Sequence, residues 1–229
     1  MNTMRLMLAD IHIIIQPELI FSLIIMAAIC LFCVYAGRKI KAADPLEKPK
    51  GVVLICEVGV RTVQDYMASI MPEKFAKNYY PYFALMFVYL VCANLSGLIG
   101  FDSPTSNFSI TLAITLITFT LIQYNAIKKK GGLTYIKELV WPPTNILGAI
   151  SPLISLSMRL FGNILSGTIL MGLVYSFTGW LSFKIIPFNF VGPILAPVLH
   201  VYFDVFAGCI QTLVFVTLSC ILIAIEAEE

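Results

Sequence analysis

Six apolar stretches, separated by short charged or Gly/Pro-containing breaks, organise the chain: residues 19–36, 51–71, 79–100, 108–127, 153–178 and 198–225. Residues 19–36 carry no charge and are long enough to cross a bilayer as a helix. Residues 51–71 differ, because Glu57, Arg61 and Asp65 recur at i, i+4 and i+8 and share one helical face, where they are able to pair. The other faces carry Val52, Leu54, Val58, Val63 and Met67, so this segment reads as an amphipathic helix lying in the membrane plane. Residues 79–100 and 108–127 form an expected helical hairpin around the turn Phe101-Asp-Ser-Pro-Thr-Ser-Asn107. Gly131-Gly132 stops the second arm. Residues 134–145, with Lys137, Glu138, Trp141 and Pro142-Pro143, read as an interfacial connection.

The last two stretches are longer. Ser151-Pro152 has the signature of a helix start, Ser as cap and Pro in the first turn. Residues 153–178 then extend about 39 Å and residues 198–225 about 42 Å at 1.5 Å per residue. Both exceed a hydrocarbon thickness of about 30 Å, which predicts strong tilt. The turn between them, residues 179–187, is expected outside.

Composition agrees with this pattern. Of 229 residues, 59% are hydrophobic and 12% charged, with a mean hydropathy of +0.90. Soluble domains carry about twice that share of charge. The expected architecture is therefore an all-α membrane protein forming a single membrane domain over residues 1–229. It has about five membrane-embedded helices, three ordinary spans and two long tilted ones, plus the in-plane helix on the cytoplasmic side. A net charge of +2 gives no footprint for nucleic acid. Arg38-Lys-Ile-Lys41 and Lys128-Lys-Lys130 read as cytoplasmic flanks, so the N-terminus is expected outside and the C-terminus in the cytoplasm. Cys30-Leu-Phe-Cys33 has zinc-like spacing, but it falls inside a span with no second pair nearby. The six cysteines read as small apolar residues, and neither metal nor cofactor is expected.

Candidate chemistry is confined to the last two long stretches. Between Leu139 and Ile225 only Arg159, Lys184, His200 and Asp204 carry charge at neutral or mildly acidic pH. A charge at the bilayer centre costs from about 3 to more than 10 kcal/mol, so it is rarely present without a task or a partner. Ser155, Arg159 and Asn163 are spaced by four and Ser166 follows at three, one polar stripe on a helix. His200, Asp204, Gly208 and Gln211 step by four, four and three along the last stretch and form a second. His200 alone, near a helix start, reads equally as a solvated side chain. Two polar stripes between packed helices describe a wet ion path, because such stripes facing lipid are not tolerated. A buried Arg159–Asp204 ion pair that only fastens the helices is the simpler reading, disfavoured by the length of the stripes. Thr111, Thr115 and Thr118 are spaced to bond back to their own helix and read as structural.

Ser157-Met-Arg-Leu-Phe-Gly-Asn-Ile-Leu-Ser-Gly167 resembles the signature of the a subunit of F-type rotary ATP synthases, and Tyr202-Phe-Asp-Val-Phe-Ala-Gly-Cys-Ile-Gln-Thr-Leu-Val-Phe215 is similar to that family's last helix. The order of segments fits as well, from about residue 15 to the C-terminus. The resemblance implies a non-catalytic stator subunit of a bacterial plasma membrane. Such a subunit provides two offset half-channels that pass H+ or Na+ to and from a ring of c subunits. It also implies b subunits of the peripheral stalk and, through the complex, the F1 sector as partners beside the lipid bilayer. By motif position Arg159 matches the family's essential arginine, Asn163 the asparagine one turn later, and Gln211 the glutamine near that arginine. Thr168 stands where some relatives carry glutamate, and Asp204 where they carry histidine, so the relay carboxylate has moved to the facing helix. Asp204, Gln211 and Asn163 are then expected in the outer half-channel, with Ser155 on the inner side. The alternative class, a stand-alone ion-coupled secondary transporter, predicts internal repeats with broken helices, and this chain has no such symmetry.

Overall fold

The structure, a computed structural model, describes residues 4–8, 11–44, 48–99, 103–184 and 191–228. Two short strands, β1 (Met4–Leu8) and β2 (Ile11–Ile15), pair antiparallel with Met4 opposite Ile15 and precede a body that is helical throughout the described residues. This hairpin is absent from the all-α expectation. Period-2 alternation over five residues is too short a signal to separate from the apolar run that follows.

Among the described residues five helices are long and apolar enough to cross a membrane, as the pattern predicts. The first is α1 (Pro17–Ala42), which opens with Pro in its first turn and closes on Lys39 and Lys41. Helix α2 (Val52–Ala68) is the segment with Glu57, Arg61 and Asp65; all three are exposed, and no ion pair joins them among the described residues. Helices α3 (Glu73–Leu95) and α4 (Phe108–Lys130) form the hairpin, joined at its described end by a short 3-10 turn, Pro104–Ser106. Residues 100–102 of the expected turn lie outside the described residues. Asn107 caps α4 by accepting from the Ser109 N–H at 2.9 Å, and Gly131, at φ +78°, ends it in a conformation other residues avoid. The interfacial connection contains a helix of its own, α5 (Gly132–Val140).

The two long elements are longer than the sequence suggests. Helix α6 runs from Thr144 to Phe183, 40 residues, or about 60 Å. It passes through Pro152 rather than starting there. A helix loses one hydrogen bond at such a proline, and close packing in a membrane protein tolerates it. Gly179 does not end the helix either, since one interior glycine costs only about 1 kcal/mol. Lys184 sits over the Trp180 ring, 4.1 Å from its centroid, at the end of α6, and residues 185–190 lie outside the described residues. The final element is α7 (Val191–His200), a π-helical turn over Val201–Ala207, and α8 (Gly208–Glu228), continuous in helical geometry through both junctions.

Two apolar clusters hold the body together. One centres on Leu90, Leu156, Leu160 and Phe215, and so joins α3, α6 and α8. The other centres on Met67, Phe83, Ile122 and Ile223, joining α2, α3, α4 and α8. Hydroxyls and amides add cross-links inside this apolar frame. Ser22 meets the Tyr89 hydroxyl at 2.7 Å, Tyr82 meets Thr118 at 2.6 Å, and Tyr66 meets Thr217 at 2.5 Å. Thr111 and Thr115 donate back to Phe108 O and Thr111 O at 2.9 and 2.8 Å, the structural role their spacing predicts.

Candidate functional site

Helix α6 presents its polar residues unevenly. Ser155, Arg159 and Ser166 are exposed, and Asn163 is half-buried. Around Arg159 the exposed surface of α6 is mainly apolar, with Ile154, Met158, Leu165, Ile169 and Leu173 turned outward beside the hydroxyls of Ser155 and Ser166. Among the described residues Arg159 makes no hydrogen bond and no ion pair. A guanidinium is always charged, and its planar fork of donors is built to take a carboxylate. Helix α6 therefore offers a fixed positive charge, without a partner among the described residues, in the midst of a mainly apolar outer face.

Asp204 belongs to a different set of contacts. Its Oδ2 lies 2.7 Å from His200 Nδ1, and His200 Nε2 lies 3.2 Å from the Tyr175 hydroxyl. Tyr175 comes from α6 and the other two from the last helix, so this chain of polar groups bridges both long elements. Two contacts set their relative direction. Gly167 of α6 is close enough to Phe203 that an added Cβ would lie 3.7 Å from the Phe203 Cβ. Tyr175 lies farther along α6 and meets His200, which is earlier on the other element. The two elements are thus antiparallel. Asp204, beside Phe203, lies near the level of Gly167, about 12 Å along α6 from Arg159. The fastening Arg159–Asp204 pair does not occur. Asp204 is the middle residue of the π turn, a distortion that recurs at functional positions in helices.

The second stripe divides in the structure. Asp204 lies against Gly97, where an added Cβ would be 3.8 Å from its carboxyl carbon. Gly208 lies against Asn94, where an added Cβ would be 3.0 Å from the Asn94 Cβ. Asn94 donates to Gly208 O at 3.0 Å and to Thr212 Oγ1 at 3.1 Å. Asp204, Gly208 and Thr212 therefore form the line that meets the C-terminal end of α3. Gln211 is turned about 100° around the axis from Thr212. It lies beyond Asp204 in the direction of the Arg159 level, which follows from the antiparallel arrangement.

Asn163 Nδ2 and Gln211 Nε2 are both buried without a hydrogen-bond partner among the described residues. A buried amide donor with no partner costs about 1–3 kcal/mol. Both side chains therefore hold unused hydrogen-bonding capacity, one on each long element. Ser155 is the odd member of the predicted set: it is exposed near the opposite end of α6 from Tyr175.

Two participants were missed by sequence reasoning. Tyr175 looks like an ordinary aromatic in an apolar run, and only its position 25 residues before His200 in an antiparallel pair gives it a role. Asn94 is buried, accepts from Thr105 Oγ1 at 3.0 Å, and ties α3 to α8 and to the 3-10 turn. Its signal was available, a lone carboxamide inside a span, where polar side chains cross-link helices.

Residues 19–224 match the family model described as ATP synthase A chain. The chain is similar to the ATP synthase subunit a of Mycoplasma pneumoniae, with 37% identity over 212 residues, covering 82% of this chain and 71% of the relative. It is similar to that of Mycoplasma genitalium, with 32% identity over 219 residues, covering 86% and 74%. A more distant likeness is to the ATP synthase subunit a 2 of Acaryochloris marina, 26% identical over 93% of this chain and 86% of the relative.

Proposed function

This chain belongs to the ATP synthase A chain family, and on that premise we propose that it forms the stationary ion path of a rotary membrane sector, with Arg159 as the charge shown to the rotating ring. As a member of that family it is a multi-pass membrane subunit of an F-type ATP synthase, serving ion translocation. The observation that carries the finer reading is Arg159 itself, exposed on a mainly apolar face and unpaired among the described residues.

An arginine so placed needs an anion from outside the chain, because an uncompensated charge against hydrocarbon is expensive. A mid-membrane carboxylate on each ring subunit supplies it. Facing Arg159, that carboxylate is stabilised as the anion and gives up its ion. Leaving Arg159 for lipid, it must first be neutralised by taking an ion up. The same fixed positive charge repels cations and separates the two half-channels. Asp204, with His200 and Tyr175, lines the outer half-channel and passes ions between water and the ring. Gln211 and Asn163 carry the path toward Arg159 with their unused amide donors, and Ser155 lies on the inner side. The chain contributes no catalytic chemistry; ion flow turns the ring, and ATP is made or consumed elsewhere in the complex. The N-terminus lies outside and the C-terminus in the cytoplasm, with the ring, the b subunits and the catalytic sector as partners.

Arg159→Ala tests this reading. ATP-driven ion pumping in inverted vesicles should vanish while the chain remains inserted and assembled, since Arg159 holds no hydrogen bond or ion pair among the described residues. Normal pumping in the variant overturns the assignment.

A further inference from the structure

Two adjoining hollows on the α1–α2–α3 side of the molecule have linings that include none of the residues assigned to the ion path. The larger, about 1040 Å³, is an apolar groove with walls from α1, α2 and α3 and from Leu213 and Val216 of α8. The smaller, about 610 Å³, is walled mainly by apolar surface but brings together the polar side chains of Gln64, Asp65, Lys77 and Tyr80. They share Val60, Pro81 and Ala84 as walls, so the smaller hollow, with its four polar side chains, is the head of the groove. Neither Asp65 nor Lys77 forms an ion pair within the chain among the described residues. One end of the groove is Ile40, flanked by Lys39 and Lys41 at the basic end of α1.

We propose that this composite hollow binds a phospholipid bearing a primary amine, its acyl chains in the α1–α2–α3 groove and its phosphate and ammonium at Lys77 and Asp65. The charge pattern selects the head group. Lys77 offers an ammonium to a phosphate, and Asp65 offers a carboxylate to an ammonium that donates hydrogen bonds. A quaternary choline has no N–H to give Asp65, and a simple anionic head group leaves Asp65 facing another negative charge. Length selects a lipid over a partner's transmembrane helix. Along α3 the apolar walls run from Pro81 to Cys92, about 16 Å, and along α1 from Ile25 to Ile40, about 22 Å. A single leaflet offers about 15 Å of hydrocarbon, whereas a spanning helix needs about 30 Å. Small residues open the groove: an added Cβ at Gly37 or Gly59 meets nothing within 4 Å.

The test uses the intact complex in native membranes and two photoreactive lipids with the same acyl diazirine, one phosphatidylethanolamine and one phosphatidylcholine. The ethanolamine lipid should label peptides of α1, α2 and α3, and the choline lipid should label them about tenfold less, the loss of one charge-assisted hydrogen bond. Gly59→Phe, whose ring enters the groove without a clash at its Cβ, should abolish labelling by the ethanolamine lipid. Asp65→Asn, which keeps the shape of the side chain, should lower it about tenfold for the same reason as the choline head group. Equal labelling by the two lipids, or labelling indifferent to Asp65→Asn, overturns the proposal. A photoreactive group on Cys56, which lines the groove, overturns it by crosslinking to another polypeptide across the groove.

Discussion

His200 Nδ1 and Asp204 Oδ2 lie 2.7 Å apart, one helical turn from each other at the entrance to the π segment, and Asp204 forms no ion pair with Arg159. The carboxylate in this part of the chain is thus engaged by an imidazole and not by the arginine. Asp204→Asn should therefore slow ATP-driven pumping while assembly and thermal stability stay close to the parent, because no buried arginine loses a partner. A fall in the yield of assembled complex equal to the fall in pumping would refute a transport role.

Tyr175 extends the same chain of polar groups across to α6. Tyr175→Phe removes one hydroxyl and no apolar area. If the hydroxyl orients His200, pumping in this variant should fall severalfold at most, within the range of about 0.5–1.5 kcal/mol for one neutral hydrogen bond. The double variant with His200→Ala should be no worse than His200→Ala alone. Additive losses would show that the two side chains act separately.

Gly208 is predicted to be intolerant for a packing reason. Its missing Cβ is what lets α8 approach Asn94, where an added atom would sit 3.0 Å from the Asn94 Cβ, which has no rotamer to escape into. Gly208→Ala should force α3 and α8 apart and cost about 1–3 kcal/mol, the usual range for overpacking. It should appear as a lower melting temperature in detergent. Unchanged stability would contradict the close approach.

Asn94→Leu tests the polar side of the same contact. It removes donors to Gly208 O and Thr212 Oγ1 and the acceptor for Thr105 Oγ1. Stability should drop by about 1–3 kcal/mol, since buried hydroxyl and carbonyl groups are left short of partners. Asn94→Asp should also be harmful, because it loses the amide donor and buries a charge.

Topology is open to labelling with an impermeant thiol reagent. In a background without the native cysteines, Ser106→Cys should react only from outside, and Lys41→Cys and Lys129→Cys only from the cytoplasmic side. The expectation rests on the Lys and Arg clusters that end α1 and α4. Reaction of Ser106→Cys and Lys129→Cys from the same side would break the hairpin orientation.

The sequence alone determined the class of the molecule, the count of five spans, the in-plane character suggested for α2 and the two elements that bear the polar stripes. Those features follow from local quantities: the length of an apolar run against bilayer thickness, and a period of 3.6 that assigns residues to a face. Arg159 stood out as a candidate for the same reason, since a charge within a long apolar run is conspicuous on its own. What each face meets was not legible, because that depends on residues far away in the chain. Gln211 looked like the continuation of the Asp204 line until Asn94 of α3 took up Gly208 and Thr212 instead. Asp204 looked available to Arg159 until the antiparallel crossing put it at the level of Gly167 and beside His200. The start of α6 was misplaced because Pro152 is a strong local stop, and a local penalty of about 3 kcal/mol yields to the packing of an entire helix in its tertiary setting.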